Sequence, residues 1–139
     1  MKKQFLNQKD LLGIRDLTSE EIWLILERAE RMKAIVTKKA DKSDLLKGNT
    51  AVTLFYENST RTRMAFTMAA SYLGAQVKNL GVASSSVQKG ESLVDTGITL
   101  DRMGIDYMIM RHNQSGAAHL LARNVEASVI NARFDYFWI

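Results

Sequence analysis

The sequence predicts an α/β fold, in which a parallel β-sheet carries helices on both faces and the chain is organised in βαβ units. Short apolar runs alternate with segments of helical spacing from about residue 50 onward. Gly74 and Gly104 each follow a helical segment, where glycine commonly ends a helix. Of the 139 residues, 46% are hydrophobic and 24% are charged, which is typical of one globular domain. Strands that alternate with helices form parallel sheets with right-handed crossovers.

The first predicted element is a helix that begins after Thr18. Thr18 and Glu21 have the spacing of a capping box, in which each residue bonds the backbone N–H of the other. Apolar residues then recur at helical spacing until the helix frays near residues 37–39. Four strands and three helices follow a polar connection. The strands are predicted at residues 51–56, 75–80, 105–110 and 127–131, and the helices at residues 61–73, 91–103 and 115–124.

Composition excludes several classes of site. The chain has no cysteine, so disulfides and thiolate metal sites are ruled out, and two histidines are too few for a metal cluster. We therefore expect no metal and no cofactor. No run of 18 apolar residues exists, and no apolar signal segment follows the first residues, so we expect a cytoplasmic protein without a membrane partner. The net charge of +4 is spread along the chain, and the absence of a recognition helix or aromatic platform argues against a nucleic-acid partner.

Residues 59–63, which read S-T-R-T-R, form the most concentrated anion site in the sequence. They lie between the first predicted strand and the next helix, where unpaired backbone N–H groups carry partial positive charge. Hydroxyl and guanidinium groups there would suit a phosphate or a carboxylate. The alternative is an N-cap hydroxyl followed by two solvated arginines, one of which could pair with Glu57 or a neighbouring chain. The candidate ligands are Ser59, Thr60, Arg61 and Thr62.

Arg111 stands at the end of the third predicted strand. Ligands bind at the carboxyl ends of strands in open α/β sheets, so Arg111 and residues 59–63 could line one crevice. The alternative is a solvated strand end. His112 and His119 are interpreted as structural or surface residues rather than as catalytic bases.

Residues 84–91 form a polar loop that contains Ser85, Ser86 and Lys89. Its composition favours a plain surface connection. The functional alternative is a mobile lid that brings Lys89 to an anion.

Three blocks of the sequence resemble the carbamoyltransferase family. Residues 55–63 resemble the family's carbamoyl-phosphate motif, usually written S-T-R-T-R. Residues 89–96 and 110–112 resemble two further blocks, in the family's order and spacing, and both are similar to the aspartate branch rather than the ornithine branch. The resemblance covers roughly residues 8–132. It implies the amino-terminal, carbamoyl-phosphate domain only, so the predicted sheet is incomplete relative to the full family chain.

The resemblance also implies a reaction and a set of roles. In the family, the amine of L-aspartate attacks the carbonyl carbon of carbamoyl phosphate and phosphate leaves. Negative charge develops on the carbonyl oxygen and the phosphate, which preorganised donors can stabilise without covalent catalysis. By resemblance, carbamoyl phosphate would be bound by Ser59, Thr60, Arg61, Thr62 and Arg111. The catalytic residues would be Arg61, Thr62, Arg111 and Lys89, and an adjacent subunit of a homotrimer would supply Lys89 with Ser85 or Ser86.

The last residues depart from the family pattern. The family continues after residue 132 with a G-D-G turn and an H-P-T-Q block, whereas residues 133–139 here read R-F-D-Y-F-W-I. We therefore expect a carbamoyl-phosphate-binding domain over residues 1–132, a divergent tail over residues 133–139 and no aspartate-binding domain. Two functions stay open: a truncated aspartate carbamoyltransferase-like enzyme in pyrimidine biosynthesis, or a non-catalytic module that binds carbamoyl phosphate or phosphate or assembles trimers. A regulatory chain is a further candidate partner.

Overall fold

A computed structural model describes residues 5–81 and 92–133 of the chain. Within these residues a short 3-10 helix at Ile14–Asp16 precedes four α-helices and four β-strands. Each predicted element is present, and the bounds shift by only one or two residues where both ends are described. In chain order the elements are α1 (Ser19–Val36), β1 (Thr50–Phe55), α2 (Thr60–Tyr72), β2 (Gln76–Gly81), α3 (Leu93–Arg102), β3 (Tyr107–Arg111), α4 (Ala117–Asn124) and β4 (Ser128–Asn131).

The four strands form one parallel sheet in the order β2-β1-β3-β4. β1 is therefore central, and Ala51 pairs with Val77 on one side and with Tyr107 on the other. Because parallel neighbours cannot be joined by a hairpin, a helix separates each strand from the next along the chain. The predicted α/β class and parallel sheet are confirmed.

Helices cover both faces of the sheet, as predicted. Alternate residues of β1 point to opposite faces, so Val52 and Leu54 enter one core while Ala51 and Phe55 enter the other. The first core packs against α4 and part of α3, and the second packs against α2. Burial on both faces explains why the central strands read as continuous apolar runs. The fully buried side chains of the first core include Leu54, Met108, Met110, Leu121 and Val129.

Carboxylates bond backbone N–H groups at the edge of the sheet where the strands begin. Asp106 Oδ2 accepts a hydrogen bond from the Thr50 N–H at 2.8 Å. Both carboxylate oxygens of Asp101 accept bonds from the backbone of Glu126 and Ala127, just before β4. Structural hydrogen bonds thus occupy the amino ends of the strands. Ligands of open α/β sheets bind at the carboxyl ends.

The capping box at the start of α1 is confirmed. The Thr18 Oγ1 accepts a bond from the Glu21 N–H at 3.2 Å, and Glu21 Oε2 accepts one from the Thr18 N–H at 2.9 Å. Glu21 is almost fully buried because its other oxygen accepts a third bond, from the Asn7 N–H. The apolar stripe of α1 is only half-buried, and Trp23 and Leu26 are exposed.

The segment before α1 contains a contact that periodicity did not predict. Leu11 forms an isolated parallel bridge with Ile130, and the Leu11 N–H donates to the Val129 carbonyl. The Asn131 N–H in turn donates to the Leu11 carbonyl. One extended residue therefore continues the sheet beyond β4, too short a pairing for a strand pattern to reveal. Within the described ranges, the helices lack the length and apolar character needed to cross a bilayer.

Candidate anion-binding site

The candidate site lies at the carboxyl ends of β1 and β3. β1 leads into α2 on one face of the sheet, and β3 leads towards α4 on the other face. The two connections therefore diverge and leave a crevice between the strand ends, which is where open α/β sheets bind ligands. The pairing of β1 with β3 continues one residue further, because the Tyr56 N–H donates to the Arg111 carbonyl at 2.8 Å. This bond brings Glu57 next to Arg111.

Arg111 reaches across this crevice towards the start of α2. Its Nε donates a hydrogen bond to Glu57 Oε2 at 2.9 Å. Its NH1 lies 3.5 Å from Ser59 Oγ and 3.5 Å from Thr62 Oγ1, at the outer limit of hydrogen bonding. The guanidinium is thus oriented by Glu57, and its remaining N–H groups converge with two hydroxyls without being saturated by them. A guanidinium fork beside hydroxyl groups suits a tetrahedral oxyanion.

The first turn of α2 completes the site. Ser59 is the N-cap residue, yet its side chain makes no capping hydrogen bond to the helix and instead lies near Arg111. Thr60 and Arg61 are exposed in the same turn, and Thr62 is half-buried. The backbone N–H groups of a first helical turn have no partner within the helix and favour an anion.

Glu57 is shared between two arginines. Its Oε2 bonds Arg111, and its Oε1 lies 3.0 Å from NH1 of Arg133. The hydrogen bond from Arg111 is the main reason that the pKa of Glu57 lies below its ordinary value, and partial burial opposes that effect. The positive charges of Arg133 and Arg111 lower the pKa of Glu57 further, and His112 adds a smaller effect when it is protonated. Glu57 is therefore a carboxylate at neutral pH.

His112 supports the back of this cluster. Its Nδ1 accepts a hydrogen bond from the Gln114 N–H at 3.0 Å, and its ring centroid lies 4.8 Å from that of Tyr56. Burial lowers the pKa of His112, while the nearby Glu57 raises it and Arg133 lowers it. The structural role expected for His112 agrees with this geometry, and His119 is exposed as expected.

The structure brings together three of the residues that the sequence singled out: Ser59, Thr62 and Arg111. The predicted loop residues Lys89, Ser85 and Ser86 lie outside the described residues. A pairing of Glu57 with an arginine of α2 was one alternative, but among the described residues its ion-pair partners are Arg111 and Arg133.

Sequence analysis missed Glu57 as the residue that orients Arg111, and it missed Arg133 altogether. The signal for Glu57 was its place directly after a buried strand, at the same sheet edge as Arg111. Arg133 follows the fourth strand in the same way, but the sequence analysis assigned it to a divergent tail and gave it no role.

Comparison with known proteins decides the family. The family profile described as "Aspartate/ornithine carbamoyltransferase, carbamoyl-P binding domain" matches residues 9–136 of the chain. The chain belongs to the aspartate/ornithine carbamoyltransferase family. It is 58% identical over 127 residues to the aspartate carbamoyltransferase catalytic subunit of Acetivibrio thermocellus. The aligned region covers 91% of this chain and 41% of that relative. A catalytic subunit from Ruminiclostridium cellulolyticum is equally similar, with 58% identity over 127 residues, 91% of this chain and 41% of the relative.

Solved structures of this carbamoyltransferase family share the fold. The aspartate transcarbamoylase of Trypanosoma cruzi in complex with carbamoyl phosphate has a TM-score of 0.81 at 30% identity, over 88% of this chain and 39% of that chain. The catalytic subunit of the M. jannaschii aspartate transcarbamoylase has a TM-score of 0.80 at 38% identity, over 91% of this chain and 41% of that chain. The chain thus spans about 41% of the length of the curated relatives.

Proposed function

We propose that this chain provides the carbamoyl-phosphate site of an aspartate carbamoyltransferase. The observation that carries the proposal is the convergence of the Arg111 guanidinium with the Ser59 and Thr62 hydroxyls at the start of α2. The aspartate transcarbamoylase of Trypanosoma cruzi, whose fold is similar, has been solved with carbamoyl phosphate bound. The phosphate would lie against the first turn of α2, with Arg61 and Thr60 as further ligands.

The same geometry suits transfer of the carbamoyl group to the amine of L-aspartate. Attack on the carbonyl carbon places negative charge on the carbonyl oxygen, and departure of phosphate places charge on the leaving oxygen. Arg111 and Thr62 would donate to the carbonyl oxygen, while the α2 turn would hold the leaving phosphate. Because Glu57 already orients Arg111, little reorganisation is needed when that charge develops.

Calorimetric titration of carbamoyl phosphate tests the binding site. Replacement of Arg111 by Gln removes a charged donor, so binding should weaken by about 10- to 100-fold. Arg61→Ala should also weaken binding. Arg102→Gln is the matched control, because Arg102 is exposed at the end of α3, near the opposite edge of the sheet. Equal affinity in wild type and Arg61→Ala would remove Arg61 from the site, and equal affinity in Arg111→Gln would refute the proposed site.

A turnover assay separates an enzyme from a binding module. The alternative function is a module that binds carbamoyl phosphate or phosphate, or assembles trimers, without transferring the carbamoyl group. Formation of N-carbamoyl-aspartate by the purified chain above the Arg111→Gln background would establish transfer. Binding without product would establish the module.

We further propose that Lys89, with Ser85 or Ser86, reaches the site from an adjacent subunit of a homotrimer. The support is the family resemblance of the block that contains Lys89. Mixing Arg111→Gln and Lys89→Ala chains, each expected to bind carbamoyl phosphate weakly alone, tests it. In a mixed trimer, some shared sites would combine the intact Arg111 of one chain with the intact Lys89 of its neighbour. Restored carbamoyl-phosphate binding is the expected result, and no restoration in a verified mixed trimer would contradict it. A regulatory chain and a cytoplasmic location stay predictions.

A further inference from the structure

Arg133 lies at the site although it follows β4 and no predicted motif contains it. The pairing of β3 with β4 continues past β4, because the Ala132 N–H donates to the Met110 carbonyl at 2.7 Å. Arg133 is therefore carried to the same sheet edge as Arg111. Its NH1 donates to the His112 carbonyl at 2.7 Å and lies 3.0 Å from Glu57 Oε1. The Arg133 side chain is 30% exposed, so solvent only partly screens this contact.

The cluster of Arg111, Glu57 and Arg133 carries one net positive charge, from two guanidiniums and one carboxylate. If Glu57 had Arg111 as its sole cationic partner, the pair would be neutral and would attract an anion weakly. Arg133 removes that neutrality because it engages the other oxygen of the same carboxylate. Glu57 can then orient Arg111 without cancelling the attraction of the site for an anion.

We propose that Arg133 is a positioning residue for the anion site: it holds the second oxygen of Glu57 and keeps the cluster positive. This inference rests on the proposed function, since it assumes that the anion binds between Arg111 and the α2 turn. Arg133 acts through Glu57 and is assigned no contact with the ligand. The bond to the His112 carbonyl fixes the guanidinium in place, so two polar anchors define its orientation.

The groups around Glu57 and Arg111 come from three parts of the fold. Arg111 and His112 lie at the end of β3, Arg133 follows β4, and Ser59 and Thr62 lie at the start of α2. The two hydroxyls do not titrate in the accessible pH range. Glu57 and His112 are thus the titrating members of the cluster, and a pH series on Arg133 variants reports on them.

The first experiment follows the Glu57 carboxylate by carbon-13 NMR in the ligand-free protein. Arg133→Gln removes one cation and should raise the pKa of Glu57 towards its ordinary value. Arg133→Lys keeps the charge and should keep most of the effect, although an ammonium lacks the fork that reaches both anchors. Arg102→Gln is the matched control and should leave the titration unchanged. An unchanged Glu57 pKa in folded Arg133→Gln would overturn the inference.

The second experiment measures inorganic phosphate affinity by calorimetry over the same pH series. Arg133→Gln should bind about three- to tenfold more weakly at neutral pH, and Arg133→Lys should bind within about twofold of wild type. The deficit of Arg133→Gln should shrink in the pH interval where Glu57 is already protonated in that variant but still ionised in wild type, since both clusters then carry one positive charge. A merely structural role would not produce this convergence. The double variant Glu57→Gln/Arg133→Gln, which has the wild-type net charge, should bind more tightly than Arg133→Gln.

The outcomes separate this inference from the proposed function. If wild type binds neither phosphate nor carbamoyl phosphate, the proposed function fails, and with it the ligand role of Arg133, while the NMR titration still decides the contact with Glu57. If wild type binds and Arg133→Gln binds equally well at every pH, the proposed function stands and the inference is overturned. Circular dichroism confirms that each variant is folded.

Discussion

Glu57 is the residue on which the candidate site depends, because it bonds two arginines that come from different strands. The sequence predicted Arg111, Ser59 and Thr62 at one crevice, and the structure brings them together. It did not predict that a carboxylate would stand among the cations. A motif reveals which residues attract a ligand, but the residues that orient them depend on strand order, which no local pattern contains. Arg133 was missed for the same reason.

Acid should destabilise the fold through Glu57. Its pKa is lower in the folded chain than in the unfolded chain, so the folded state binds fewer protons over that interval. The stabilisation is complete above the ordinary carboxyl pKa of about 4.5 and is lost as pH falls through the folded value. Glu57→Gln should flatten this part of the pH dependence of the free energy of unfolding. Urea unfolding at several pH values measures it.

His112 adds a second pH-dependent contribution to that measurement. Burial lowers its pKa, so its contribution to stability is present above the ordinary pKa of about 6.5 and is lost as pH falls below it. Because the charge of Glu57 raises the pKa of His112, Glu57→Gln should deepen the loss of stability in the His112 interval while its carboxyl interval flattens. Carboxyl groups titrate between roughly pH 3 and pH 5. If Glu57→Gln leaves the slope of the free energy of unfolding against pH unaltered in that range, Glu57 does not contribute significantly.

At the scale of elements, the contact between α3 and α4 depends on Gly97. Gly97 is buried in α3, and a Cβ atom there would collide with the side chain of Leu121 in α4. Its φ is not positive, so close approach between helices explains the glycine better than backbone freedom does. Sequence analysis treated this position as an ordinary part of a helix, because no local pattern shows which helix face meets another helix.

Replacement of Gly97 by Ala should therefore destabilise the chain, although alanine is the better helix former. Overpacking of a buried contact costs about 1–3 kcal/mol, more than the roughly 1 kcal/mol that alanine gains over glycine in a helix. Gly13→Ala is the control, since Gly13 has open space around it and an extended backbone. Thermal unfolding compares the three proteins. A Gly97→Ala chain as stable as Gly13→Ala would contradict the packing argument.

Local signals predicted the elements well, and α1 shows why. Its start follows from the side-chain bonds of Thr18 and Glu21, which depend on residues three apart in the sequence. The third bond to Glu21, from the Asn7 N–H, crosses 14 residues and had no local signature. The bridge of Leu11 to Ile130 is longer in range still. Predictability thus declined with the sequence distance over which a contact acts.

For the whole molecule, phosphate should stabilise the fold in proportion to its occupancy. A ligand that binds only the folded state at about 100 times its Kd adds about 2.7 kcal/mol. The melting temperature should then rise on the order of 5–10 °C. Arg111→Gln should lose the rise while Arg102→Gln keeps it. Differential scanning fluorimetry with phosphate, and with chloride at equal ionic strength, separates binding from a general salt effect.

The order of strands also determines when the site can exist during folding. The hydroxyls of Ser59 and Thr62 follow β1, but Arg111 arrives only when β3 pairs with β1, after β2 and α3 have been bypassed. Pairing strands that are distant in sequence costs loop entropy before stabilising contacts form, and this slows folding. A chain in which only β1 and α2 have formed therefore has the Ser59 and Thr62 hydroxyls of the site but lacks the Arg111 guanidinium. Since the anion site is complete only once β3 has paired with β1, phosphate should slow unfolding rather than speed refolding.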